Sequence, residues 1–291
     1  VLVQNLKPGA MDKLDLGLDA LHKANAKLIS MSISGFSPDG PGYPRKAYDL
    51  LMQAESGLAS ITGSAHAPGR VGVSLVDIAT GQFAYEAILG AVIRRGQTGH
   101  GSQLSVSLFD AVAQWLAVPY LHERYGGQAP ERVGLAHPGI CPYGVYQAGC
   151  GQDFILSVQN EREWHSLCQE LRLDELLADP RCVNNETRVA NRQLVDETLQ
   201  GVFSANAYAA LSQALDQADI AFAPVNGMAD LKQHPDFHSE PVQVGDTTIQ
   251  VPRIPGLAVG EAVQRMTAAA QKVPRVGEHT EEILRDLDAS I

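Results

Sequence analysis

The sequence predicts an α/β fold: a large domain on a parallel sheet, joined to a smaller α+β domain. Three observations carry this. The opening residues read strand, turn, helix, strand, and parallel neighbours need such a crossover connection. A long apolar helical stretch then feeds a strand of alternating character and another helix. At Tyr143 the texture changes to two short strands joined by a Gly-rich turn, followed by a run of helices.

Each element has a local cause. Residues 1–3 are a short apolar run closed by Asn5 and the turn Lys7-Pro8-Gly9. Leu14, Leu18 and Leu21 recur at helical spacing through Ala24, and Leu28, Ile29, Met31 and Ile33 then form a strand ending at Gly35. Pro38, Gly40, Pro41, Gly42 and Pro44 make 37–44 a loop. Residues 48–60 read as a helix with Leu50, Leu51, Ala54 and Leu58 on one side, and 64–72 as a second loop. An extended piece, 73–76, leads to Asp77. The apolar helix is expected over 79–95, where Arg94-Arg95 before Gly96 favours a C-terminus. Residues 97–101 read as a turn, 104–108 as a strand, and the following helix runs to about Tyr125.

The expected organisation is a large domain over 1–126, a linker over 127–142, a small domain over 143–235, and a return to the large domain over 236–291. The small domain should hold strands at 143–147 and 154–159, helices at 164–171, 191–203 and 207–217, and an extended segment at 220–225. A strand pair near 241–252 and a short helix at 280–287 close the chain. The chain starts at Val1 with a strand already under way, which suggests that a natural N-terminus lies upstream.

Composition narrows the function. Hydrophobic residues make up 45% and charged residues 19%, enough for a packed core. The net charge of −11, with no Lys/Arg cluster, argues against a nucleic-acid partner. Cys141, Cys150, Cys168 and Cys182 are scattered without metal-ligand spacing, so no metal site and four free thiols are expected. No apolar run approaches a membrane span and no signal-peptide pattern appears, so the expectation is a cytoplasmic protein without a membrane partner.

No P-loop, GxGxxG, GxSxG or HExxH pattern is present. Polar residues instead gather at element boundaries: Lys7-Pro8-Gly9, Lys46 to Asp49, Gln53 to Gly57, Asp77, and Thr98 to Gly101. Asp77 stands out, set among apolar neighbours just before a helix. An Asp there can be a helix cap contributing about 1 kcal/mol. The same geometry suits a nucleophilic carboxylate, because a helix N-terminus offers N–H groups to a developing oxyanion. Both readings use one position.

These segments together resemble the class III CoA-transferase family, which includes formyl-CoA transferase, carnitine CoA-transferase and the α-methylacyl-CoA racemases. The resemblance is carried by Lys46-Ala47-Tyr48-Asp49, Gln53 to Gly57, Thr62-Gly63, Val76-Asp77, Thr80-Gly81, Arg95, Thr98-Gly99 and Gly101, flanked by Asn5 to Ala10, Ile33 to Phe36 and Gly277 to Thr280. It implies a Rossmann-like large domain, an interlocked homodimer, and CoA and acyl-CoA as substrates with no tightly bound cofactor. It implies Asp77 as the nucleophile. Lys46, Tyr48, Lys13 and Asn5 fall at CoA-binding positions, with Lys13 where formyl-CoA transferase has an Arg. Where formyl-CoA transferase has a glycine-rich lid, this chain has Ala136-His137-Pro138-Gly139, closer to the dicarboxylate subgroup, and His137 is the candidate substrate contact. Two alternatives remain. A racemase would need a basic partner where Tyr48 stands, and an ordinary phenol is a poor base. A truncated member could bind CoA without catalysis.

Overall fold

The computed structural model describes residues 1–256 and 271–288. Contacts divide the chain into two compact units, Val1–Ala223 and Pro224–Ile291. The first begins with β1 (Leu2–Gln4), α1 (Ala10–Lys13), α2 (Leu18–Ala24), β2 (Ile29–Ser34), α3 (Asp49–Glu55) and α4 (Leu58–Ile61). A two-residue hairpin, β3 (Gly63–Ser64) and β4 (Ala67–Pro68), precedes α5 (Leu75–Thr98), β5 (Ser102–Ser107), α6 (Leu108–Trp115) and α7 (Ala117–Gly126).

β1, β2 and β5 form a parallel sheet with β2 in the centre. Met31 of β2 faces Val3 on one side and Leu104 on the other. The central strand of such a sheet is covered on both faces, and Ile29, Ser30 and Met31 are buried. Both connections are helical, as parallel pairing demands. The helical leucines before β2 divide between two short helices, because Asp15 takes a left-handed φ of 57°. The helix expected over 48–60 divides likewise at Gly57, whose φ of 93° a residue with a side chain adopts only with strain.

α5 departs most from its sequence expectation. It begins at Leu75, not after Asp77, so Asp77 sits in its first turn and is not the cap. It also runs past Gly96 to Thr98, and Gly99, at φ 75°, is the stop that donates to the Arg95 carbonyl at 2.8 Å. By length and composition α5 could cross a membrane, which corrects the expectation that no segment approaches a span. Gln82 and Glu86 break the apolar run in sequence without pulling mean hydropathy below 1.2. Here α5 packs on β2, β5, α3 and α6, burying Val76, Ala79, Thr80, Ala84 and Ala91.

The rest of the first unit is a sheet of β6 (Tyr143–Gln147), β7 (Asp153–Ser157) and β8 (Ala221–Pro224), packed against α8 (Glu161–Glu170), α11 (Arg192–Ser204) and α12 (Tyr208–Gln217). Between α8 and α11 lie α9 (Asp174–Ala178), a short 3-10 turn (Pro180–Cys182) and α10 (Asn185–Ala190). Phe154, Leu156, Trp164, Leu167, Leu199, Phe203 and Leu215 fill its core. Arg188 is buried there, donating to Glu161 at 2.7 Å and to the Cys141 and Cys182 carbonyls, with its guanidinium 4.8 Å from the Trp164 ring centroid. All four cysteines are free thiols. In the second unit, α13 (Met228–Leu231) precedes a sheet of order β10 (Thr247–Pro252), β9 (Ser239–Val244), β11 (Gln271–Val273), and α14 (Thr280–Asp288) follows.

Candidate active site

In open parallel sheets, ligands bind at the carboxyl ends of the strands. A cavity of about 620 Å³ lies there. Asn5 follows β1, Ile33 to Gly35 end β2 and enter its loop, and Leu108 follows β5, and all of these line it. The opposite wall is the head of α5, with Asp77, Thr80 and Gly81. Tyr43, Arg45, Lys46, Ala47 and Tyr48 reach in from the loop between β2 and α3. Asp77 is exposed to this space. Gly81, one turn on, leaves its neighbourhood open: a methyl built there would meet nothing within 4 Å.

The cavity brings together Asn5, Lys46, Tyr48 and Asp77, four of the residues singled out from sequence. Lys13 and His137 are not part of it. Lys13 closes α1, next to Asp12, which lines a second cavity of about 500 Å³ that shares Lys7, Pro8 and Tyr43 with the first. His137 stacks on Tyr143 with ring centroids 5.5 Å apart, accepts from the Gly139 N–H at 3.1 Å, and offers its carbonyl to Arg192 at 2.8 Å.

The loop bearing Lys46 and Tyr48 is held from two sides. Gly35 admits Ala47 so closely that an added methyl on Gly35 would stand 2.2 Å from the Ala47 Cβ. Arg45 makes a bidentate pair with Glu55 at 2.7 and 2.8 Å and lies 4.8 Å over the Phe36 ring. That pairing holds the Glu55 carboxyl below its ordinary range. Beneath the loop, Phe36, Met52, Val76 and Val112 form a small core against which Ala47 and Leu108 pack.

The start of α5 is set from outside the helix. Ser74, its N-cap, makes no side-chain capping bond. The Val76 N–H instead donates to Asp49 Oδ1 at 2.7 Å, across from α3. This is why the helix begins ahead of Asp77, and no local pattern around residue 77 reports it. Burial first, and then the Asp49 charge, hold the Asp77 carboxyl above its ordinary range. The result is an accessible, partly desolvated carboxylate facing a space where Lys7 and Lys46 have no carboxylate partner among the described residues. No group of three or more His, Cys, Asp and Glu placed to hold a metal occurs among the described residues.

Sequence reading missed Tyr43, Arg45, Thr80 and Leu108 as lining residues. Of these, Tyr43 and Arg45 were an aromatic and a cation in a Pro/Gly loop beside Lys46, and Thr80 belonged to the Thr80-Gly81 pair that helps carry the family resemblance.

A parallel sheet with an open carboxylate at its carboxyl edge is a frame for group transfer. The chain belongs to CoA-transferase family III, whose family model matches residues 1–280. It is 32% identical to an acetyl-CoA:oxalate CoA-transferase of Acetobacter aceti over 88% of this chain and 66% of that protein. It is 30% identical to a succinyl-CoA:glutarate CoA-transferase of Mus musculus over 99% of this chain and 66% of that protein. The chain thus spans just under two thirds of both curated relatives. Among solved structures, a CAIB/BAIF family protein from Brucella suis superposes with a TM-score of 0.79 at 29% identity, covering 98% of this chain and 74% of that one.

Proposed function

We propose that this chain carries the reaction centre of a CoA-transferase that moves CoA between short dicarboxylic acids, with Asp77 as the covalent relay. The observation that carries this reading is the Asp77 carboxylate at the head of α5, open to a cavity whose other charged lining groups are Lys7, Lys46 and Arg45. The oxalate and glutarate named for the two relatives support the dicarboxylate class.

The steps balance without a metal or redox group. The Asp77 carboxylate attacks the acyl-CoA thioester carbonyl, forming a mixed anhydride and expelling CoA thiolate. The thiolate attacks the aspartyl carbonyl of that anhydride, giving an aspartyl-CoA thioester and releasing the first acid as its carboxylate. The acceptor carboxylate attacks the aspartyl thioester, forming a second anhydride and freeing the thiolate again. The thiolate then takes the acceptor's acyl carbon and regenerates the Asp77 carboxylate. One difficult exchange becomes four easier displacements.

In this reading Asn5, Lys46 and Tyr48 hold the CoA portion, the second cavity extends that site beside Lys13, and His137 is a substrate contact. The protein acts in the cytoplasm as a homodimer. Ile78, Tyr85, Leu89 and Ile93 of α5, with Val118, Leu121 and Tyr125 of α7, are exposed apolar residues that a second copy would cover. A monomer by sedimentation at micromolar concentration would count against that assembly.

The direct test is transfer of CoA from succinyl-CoA to glutarate, oxalate and mesaconate by wild type and by Asp77→Asn. Transfer by the wild type and none by the variant supports the relay. Exchange of the Cα hydrogen of a 2-methylacyl-CoA without transfer would point instead to racemisation.

A further inference from the structure

Asp49 and Gln53 are buried polar residues on α3, one helical turn apart, and neither lines the cavity. Their side chains form one chain of hydrogen bonds. Asp49 Oδ1 accepts from the Val76 N–H at 2.7 Å. Asp49 Oδ2 accepts from Gln53 Nε2 at 2.7 Å. Gln53 Oε1 accepts from the Val71 N–H at 2.9 Å. Both ends of the 71–76 segment are thereby tied to one face of one helix, and Asp77 is the next residue.

Capping alone does not explain this arrangement. Ser74 already occupies the N-cap of α5 and could have satisfied a first-turn N–H with a neutral oxygen, yet its side chain makes no such bond. The fold instead buries a carboxylate, which is costly unless fully paired, and sets it beside a second carboxylate whose proton affinity it raises. Among the described residues Asp49 has no cationic partner. Its partners are a backbone N–H and an amide, both fixed in direction. This gives orientation and little charge neutralisation.

We propose that Asp49 and Gln53 are positioning residues, a two-residue brace that fixes the attack geometry of Asp77. The inference rests on Asp77 being the relay carboxylate. The brace touches no substrate and acts through the backbone at Val71 and Val76.

The directions of the hydrogen bonds supply the test. In Asp49→Asn, the new amide must place an N–H₂ group against either the Val76 N–H or Gln53 Nε2. Flipping Gln53 only moves the conflict to the Val71 N–H. One donor faces another in every arrangement. The exchanged pair D49N/Q53E has no such conflict. The amide now at position 49 accepts from Val76 and donates to the carboxylate now at position 53, and that carboxylate accepts from Val71. The net charge is unchanged.

Single-turnover and steady-state rates with succinyl-CoA and glutarate should be measured for wild type, Asp49→Asn, the exchanged pair and Asp77→Asn. Amide hydrogen exchange at Val71 and Val76 should be followed in parallel. Asp49→Asn should lose on the order of 100-fold in kcat, the scale of an ångström-sized misplacement, with little change in KM for succinyl-CoA. Exchange at both amides should quicken. The exchanged pair should recover most of the rate and restore the protection, which a role confined to general stability at position 49 would not produce. Wild-type kcat in Asp49→Asn, or an exchanged pair that restores neither rate nor protection, overturns the brace. So does a pair that restores protection without rate. If Asp77→Asn transfers CoA normally, the relay reading fails separately, and the amide exchange still reports whether the brace exists.

Discussion

Gly35→Ala tests how the loop bearing Lys46 and Tyr48 is held in place. The added Cβ would stand 2.2 Å from the Ala47 Cβ. Carbon atoms in contact prefer about 3.5 Å or more, so the loop would have to move by the difference, about 1.3 Å. Its Ala47 packs on the core beneath the site, and the Gly35 carbonyl accepts from the Phe109 N–H at 3.1 Å, so neither side yields freely. Overpacking of this kind costs about 1–3 kcal/mol. At about 2–4 °C per kcal/mol for chains somewhat smaller than this one, Tm should fall by about 2–12 °C. Because Lys46 and Tyr48 flank Ala47, the KM for acyl-CoA should rise as well. Ala47→Gly removes the clashing atom and leaves its Cα at 3.5 Å, an ordinary contact. The double variant should therefore be more stable than Gly35→Ala alone, with a coupling of about 1–3 kcal/mol in a four-corner melting cycle. Additive effects of the two substitutions, or a Gly35→Ala protein as stable as wild type, would refute the close approach.

Three further outcomes are expected. Lys46→Ala should raise KM for acyl-CoA and leave kcat nearly unchanged, the mark of uniform binding, and a fall in kcat at constant KM would remove Lys46 from the CoA site. Gly81→Ala places a methyl in open space beside Asp77; melting should show a gain of up to about 1 kcal/mol from helix propensity, while kcat falls, and unchanged turnover would mean the substrate does not use that space. The Asp77 carboxyl is raised above its ordinary 3.8 by burial and by Asp49, and in the proposed relay the carboxylate is the attacking form. The acid limb of kcat should therefore lie above that value and move to lower pH in Asp49→Asn. The linked stability has the opposite sense: a raised folded pKa favours the folded state at low pH, and that gain is lost as pH rises through it. Asp77→Asn should thus gain stability relative to wild type as pH increases, which melts across the acid range will measure.

Much of the fold was legible because it depends on local pattern. The alternation at Leu28 to Ile33 and at Leu104 to Leu108 marked β2 and β5, and the connecting helices required parallel pairing. The lining of the candidate site was legible in part. Lys46, Tyr48 and Asp77 are polar residues at element boundaries, Asn5 came from the family resemblance, and one cavity at the carboxyl edge of the parallel sheet gathers all four. What sequence could not report depends on residues far apart in the chain. The start of α5 is set by Asp49, 27 positions before the N–H it caps. The close approach of Gly35 to Ala47 is a tertiary contact with no periodicity. The α9 to α10 region went unread because its helices are short and broken by Pro180, and they rest on Asn184 capping and on Arg188, whose partners Cys141 and Glu161 lie far upstream.

The relay role of Asp77 is tested most directly by trapping its intermediate. The wild-type protein, incubated with succinyl-CoA and no acceptor acid, is expected to gain the mass of CoA less one water. Hydroxylamine should remove that adduct, and peptide mapping should place it on the segment containing Asp77. Asp77→Asn should gain nothing under the same conditions while keeping its fold by circular dichroism. An adduct that survives in Asp77→Asn, or that maps to Asp49 or Glu55, would contradict the covalent relay at Asp77.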